Sequence, residues 1–128
     1  MTFSQDRTVR MFLLMAVGMA LLVACGEASV PVRVAGGDAK LGQRLMAQYQ
    51  CASCHAIPDV EGAGGNAGPP LEGFGKRSYI AGRIPNLPDR LSAWLVDPPA
   101  HKPGTLMPNM GVSPEDARHM AAYLYTLE

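Results

Sequence analysis

With 128 residues, 11 basic and 11 acidic side chains and a formal net charge of +0, the chain has room for one domain and offers no basic face for nucleic acid. Aromatic residues make up only 6% of it, and 14 glycines with 11 prolines predict short helices joined by much loop. A domain of about 90 residues with so few large side chains is marginal on its own core.

Arg7 and Arg10 form a short basic start, and Met11 to Ala24 is an apolar run of 14 residues. A membrane-spanning helix needs about 20, so the run reads as the apolar core of an export signal. It ends Leu22-Val23-Ala24-Cys25-Gly26, which resembles a bacterial lipoprotein box. That resemblance implies cleavage before Cys25 and acylation of Cys25 as the first residue of the mature chain. Several acyl chains anchor firmly, at about 0.8 kcal/mol per buried CH₂. The expected division is a signal peptide over 1–24, a lipidated tether over 25–37 and a domain over 38–128. The domain would then lie in the periplasm or on the outer face of the cell membrane. An ordinary export signal or an uncleaved anchor would place it on the same side. Without residues 1–24 the count is 9 basic against 10 acidic side chains.

Asp38 is a good N-cap for a first helix, and its carboxylate suits the positive helix end. Leu41, Leu45 and Tyr49, with Gly42 and Met46 beside them, form one apolar stripe. Gly42 costs about 1 kcal/mol against alanine within a helix, so it implies close approach of another element. The helix is expected to run into Cys51. Cys51-Ala52-Ser53-Cys54-His55 then places two thiols three residues apart, with a histidine directly after them. That is the attachment signature of a c-type haem: each thiol adds to one vinyl group, and His55 is held where its imidazole can ligate iron. The bound macrocycle would supply the missing apolar bulk.

Residues 57–67 read as a loop, followed by Gly68-Pro69-Pro70-Leu71. Proline keeps its carbonyl while losing its N–H, and a rigid carbonyl can accept the second ring N–H of a ligand histidine. Arg77 and Tyr79 are donors suited to haem propionates, or else plain surface residues. Pro88 to Val96 reads as a short helix carrying Leu91, Trp94 and Leu95. Trp94 is expected in the core, with its indole N–H free to point at a propionate, and Asp97-Pro98-Pro99 should stop the helix.

Residues 101–111 show no period. An iron bound by one histidine still lacks a sixth ligand, and Met107, 52 residues after His55, has enough chain to reach the far face of the ring. Met110, His101 or an open site are the alternatives. Ser113-Pro114-Glu115-Asp116 starts a last helix, with Ala117, Met120, Ala121, Leu124 and Leu127 as its buried stripe. Tyr123 flanks the stripe, and His119, off it, is expected in solvent.

In this order the residues resemble class I cytochromes c over 38–128. The resemblance implies an all-α fold with three to five helices around one covalent haem c. It implies first and last helices that cross near Gly42 and Tyr123, and a Pro69 carbonyl that accepts from His55. The stretches 79–86, 94–98 and 102–108 are similar to the cytochrome c domain of haem-copper oxidase subunit II and its free-standing relatives. The function implied is one-electron transfer at a membrane, with Cys51, Cys54, His55 and Met107 holding haem and iron. The partners implied are a terminal oxidase or a quinol-oxidising complex, with no small-molecule substrate. A haem enzyme or gas sensor with an open sixth site is the rival reading, and a haem-free thiol module is a further one.

Overall fold

The computed structural model divides the chain into two units, residues 1–30 and 31–128. It describes residues 9–10, 31–62 and 64–128. Val9 and Arg10 have helical backbone; the expected signal core and Cys25 lie outside the described residues. Among the described residues, no helix is long and apolar enough to cross a membrane.

The second unit is built on α-helices, here α1 (Ala39–Gln48), α2 (Pro88–Val96), α3 (Pro98–His101) and α4 (Pro114–Leu124). α4 is the centre, packing against both α1 and α2. Its face Ala117, Met120, Ala121 and Leu124 is buried, as the 3.6-residue spacing predicts. Met46 of α1 and Leu91 of α2 meet it with 1% exposure each, so three helices share one core.

The caps explain where the helices begin. The Asp38 carboxylate accepts the Leu41 N–H at 3.1 Å, and the Ser113 hydroxyl accepts the Asp116 N–H at 3.1 Å. The Leu41 N–H holds the Asp38 carboxyl below its ordinary pKa of 3.8. A lowered folded-state pKa contributes stability that is present above 3.8 and is lost as pH falls through the folded value. Asp38→Asn still caps but does not titrate. It should flatten the acid limb of melting temperature against pH, and an unchanged limb would exclude the cap as a source of that limb.

α1 and α4 come into close backbone contact at Gly42. A Cβ there would overlap the His119 carbonyl and stand 3.0 Å from the Met120 nitrogen. The tight contact therefore falls on the His119–Met120 backbone, one turn before the Tyr123 implied by the resemblance. Tyr123 instead donates its hydroxyl to the Pro58 carbonyl, fastening α4 to the loop after His55. Tyr49, just past the end of α1, donates to Asp116 at 2.8 Å.

Four features differ from the sequence expectations. His119 is half-buried rather than free in solvent: its Nδ1 accepts the Asp38 N–H at 2.9 Å, using one of the amides a helix start leaves unpaired. Part of the expected tether is docked on the domain. Val34 packs on the core, the Gly37 N–H donates to its carbonyl at 3.0 Å, and Gly37 lies against Ala122 and Arg118 of α4. The Asp97-Pro98-Pro99 stretch ends α2 but also opens α3, because Asp97 accepts the Ala100 N–H and proline suits the first helical position. Finally, Tyr79–Ile80 and Ile84–Pro85 form a two-residue antiparallel hairpin, turned by Ala81 and Gly82 at positive φ. Its sequence carries no alternation long enough to announce a strand.

Candidate functional site

α1 does not run into Cys51. Gln50 adopts left-handed backbone (φ 56), and Cys51–Ser53 then forms a 3₁₀ turn. Side chains at i and i+3 eclipse on such a turn, which brings Cys51 and Cys54 to one edge. The Cys54 and His55 amides both donate to the Cys51 carbonyl, at 3.2 and 3.0 Å. Ala52 is buried and anchors the turn to the core.

Both thiols are free, Cys54 exposed and Cys51 half-buried. Burial pushes the Cys51 thiol up to about 11. Thiol exchange needs an accessible thiolate of lowered pKa, so Cys51 is badly placed for that chemistry. Among the described residues, no group of three or more His, Cys, Asp or Glu side chains is arranged to hold a metal ion.

The loop after His55 folds back over the turn. Gly65 and Gly68 donate their amides to Ala52 and Cys54 at 3.0 and 2.8 Å, and Leu71 donates to Ala56 at 2.8 Å. A Cβ on Gly68 would fall within the His55 ring, 2.6 Å from Nδ1, so only glycine lets the loop pass this close. Nδ1 lies 2.7 Å from the Pro69 carbonyl oxygen. A carbonyl only accepts, so Nδ1 carries the proton and donates it. Nε2 is therefore the nitrogen with the free lone pair, the form an imidazole must take to bind a metal.

Met107 is half-buried against the core, and its amide donates to the Thr105 hydroxyl at 3.3 Å. Met110 is 41% exposed. His101 is exposed and lines a groove of about 400 Å³ with Val34, Ser92 and Arg118; none of Cys51, Cys54, His55 or Met107 borders it.

Among the proposed propionate donors, Trp94 has its ring buried at 6% exposure. Its indole N–H meets no acceptor among the described residues, yet no polar side-chain atom there is sealed without a partner. The N–H therefore opens onto free space. Tyr79 is 56% exposed, with no protein partner for its hydroxyl among the described residues. Arg77 is already engaged: one terminal nitrogen, Nη2, donates to the carbonyls of Pro70 (2.6 Å) and Glu72 (3.0 Å). Its guanidinium also sits 5.4 Å from the Phe74 ring centroid.

Asn86 escaped the sequence reading. It donates to the Phe74 and Arg77 carbonyls and accepts from the Tyr125 hydroxyl at 3.0 Å. Burial raises Tyr125 to about 12, which keeps that hydroxyl a donor. An asparagine between loop residues gives no periodic signal, so only the fold reveals it.

These residues fit a covalently attached haem. The paired thiols share an edge, the adjoining imidazole presents Nε2, and an unpartnered indole N–H is available for a carboxylate. Comparison with known proteins points the same way. Residues 39–128 match the family model described as Cytochrome c. The chain is 38% identical over 91 residues to cytochrome c oxidase subunit 2 of Alkalihalophilus pseudofirmus, covering 70% of this chain and 26% of that one. It is 34% identical over 89 residues to cytochrome c oxidase subunit 2 of Bacillus subtilis, covering 68% and 25%. It is 37% identical over 101 residues to cytochrome c-type cyt cy of Rhodobacter capsulatus, covering 71% and 50%. The chain spans a quarter to a half of the length of these curated relatives.

Proposed function

Because the chain belongs to the cytochrome c family, with its covalently bound haem c and electron-transfer role, we propose that it is a membrane-tethered one-electron carrier with His55 and Met107 as the axial iron ligands. The observation that carries this reading is the 2.7 Å contact from His55 Nδ1 to the Pro69 carbonyl, which leaves Nε2 free for iron.

When bound, haem c supplies a one-electron iron couple. Cys51 and Cys54 would hold the ring through thioether bonds. His55 gains basicity by donating Nδ1–H to a fixed acceptor. Met107 would supply a thioether as the second protein ligand to the iron, which would leave no position for substrate and raise the reduction potential. Trp94, Tyr79 and the unused N–H groups of Arg77 would serve as donors to the propionates. The proline-stiffened loops on both sides leave little to move when the charge changes, so reorganisation is small.

The test is redox titration of the full haem-loaded chain. A single one-electron transition, a low-spin spectrum and no turnover of peroxide are expected. A high-spin spectrum with peroxide turnover would overturn the carrier reading in favour of an open-site enzyme.

The tether reading rests on Cys25 and the apolar run before it. Cys25→Ser should release the cytochrome from membranes into the soluble fraction; retention on the membrane would remove the lipid anchor from the proposal. A location on the periplasmic or outer side of the cell membrane follows from the same segment. A respiratory partner such as a terminal oxidase is supported by the relatives named oxidase subunit 2.

A further inference from the structure

Five consecutive carbonyls after the glycine-rich loop, from Pro69 to Gly73, all accept hydrogen bonds. Pro69 receives His55 Nδ1–H, Leu71 receives the Phe74 amide and Gly73 receives the Lys76 amide. The two in between, Pro70 and Glu72, are bound by one nitrogen of Arg77. This pattern has a physical cause. Pro69 and Pro70 have no N–H to donate, so the segment that presents the histidine's acceptor is held by its own amides only at Gly68 and Leu71. Its remaining restraint must come through its carbonyls. Without Arg77, the carbonyls on either side of Leu71 would be unbound, and the peptide carrying the Pro69 carbonyl could rock about the Gly68 and Leu71 anchors.

Arg77 is itself held in place. Its amide donates to the Phe74 carbonyl at 3.1 Å, and its guanidinium lies over the Phe74 ring. Its carbonyl accepts from Asn86 at 2.9 Å, while Asn86 also bonds Phe74 and is fixed by the buried Tyr125. The chain of contacts runs from the C-terminal residues through Asn86 and Arg77 to the loop, and ends at the proton on His55.

We propose that Arg77, braced by Asn86, is a positioning residue that fixes the direction of the Pro69 carbonyl and so sets the basicity of His55 toward iron. This role rests on the assignment of His55 as an iron ligand. It is distinct from donation to a propionate, for which three of the five guanidinium N–H groups remain. Two substitutions that leave every charge in place separate the roles. Arg77→Lys replaces the planar fork with a compact ammonium. Asn86→Ser removes the brace at a side chain whose amide nitrogen is already given to the Phe74 and Arg77 carbonyls.

The full haem-loaded chain and both variants are compared by the NMR exchange lifetime of the His55 Nδ1 proton and by the midpoint potential. Outer-shell partners of metal ligands commonly carry effects of about tenfold or more. Both variants should exchange that proton about tenfold faster. Both should also shift the redox equilibrium toward reduced iron, because a weaker acceptor leaves a less basic imidazole. Unchanged lifetimes in variants with a normal spectrum and melting temperature would overturn the proposal. So would a change confined to the potential of Arg77→Lys, which would mark a propionate contact alone. If the wild-type chain itself lacks a low-spin, histidine-ligated spectrum, the His55 assignment fails first and the role of Arg77 falls with it.

Discussion

Met107→Ala should keep its haem and lose its low-spin spectrum. Cys51 and Cys54, which carry the covalent attachment in this reading, lie far from residue 107 in the chain and are untouched by the change. The methionine-to-iron charge-transfer band of the oxidised protein should vanish. The reduction potential should fall steeply, as a thioether gives way to water or a stronger base. Axial ligands set haem potentials over a range of about 0.8 V, so this should be a far larger redox effect than substitution of any residue that does not ligate the iron. Met110→Ala is the matched comparison: Met110 is 41% exposed and lies outside the core, so its removal should leave spectrum and potential near wild type. If Met110→Ala loses the band while Met107→Ala keeps it, the ligand assignment is reversed. Because Met107 packs partly against the core, some loss of thermal stability should accompany the spectral change.

Gly42→Val should be the most damaging substitution outside the site. The valine Cβ would overlap the His119 carbonyl, and the neighbouring Met120 nitrogen is 3.0 Å from the same position. These are backbone atoms of a packed helix, and they cannot turn aside as a side-chain tip can. Overpacking costs typically 1–3 kcal/mol. A backbone clash between two packed core helices belongs at or above the top of that range, about 3 kcal/mol. Valine gains a few tenths of a kcal/mol over glycine in helix propensity, which offsets little of this. For a domain of this size each kcal/mol moves the melting temperature by roughly 4–8 °C, so a fall of roughly 12–24 °C is expected. Ala47→Val, on the exposed face of α1, introduces the same side chain without the clash and should cost only a few degrees. Melting curves of the two haem-loaded variants decide it; a Gly42→Val protein within a few degrees of wild type would mean that the helices separate at little cost.

The elements most legible in the sequence were those with local physical signals. Asp38 and Ser113 announce helix starts through capping chemistry, and Pro88 marks the start of α2. The spacing of Ala117, Met120, Ala121 and Leu124 gives the buried face of α4. Gly42 signalled close approach because glycine within a helix is otherwise unfavourable, although the backbone it meets, at His119 and Met120, lies some 77 residues away and has no local trace. Elements defined by long-range contacts were opaque. His119 looks like a surface histidine from its place on α4, and only the crossing brings the Asp38 amide to it. Asn86 and Arg77 are polar residues in an irregular stretch, and their roles depend on which carbonyls the loop leaves bare. The site itself divided in the same way. Cys51, Cys54 and His55 form a contiguous pattern and could be read directly, and Pro69 could be inferred from what a ligand histidine requires. The engagement of Arg77 with Pro70 and Glu72 could not.

The docked strap from Val34 to Gly37 determines where force enters the domain. A pull arriving along the chain from residue 31 meets the turn between Val34 and Gly37, which is braced on Arg118 and Ala122. The load passes into α4, the central helix, before it reaches α1. The paired cysteines lie beyond the far end of α1, some 15 Å of helix away from where the strap joins it. Tension from whatever holds the N-terminal side is thus borne by the helix crossing, and the turn carrying Cys51, Cys54 and His55 sits off the line of strain.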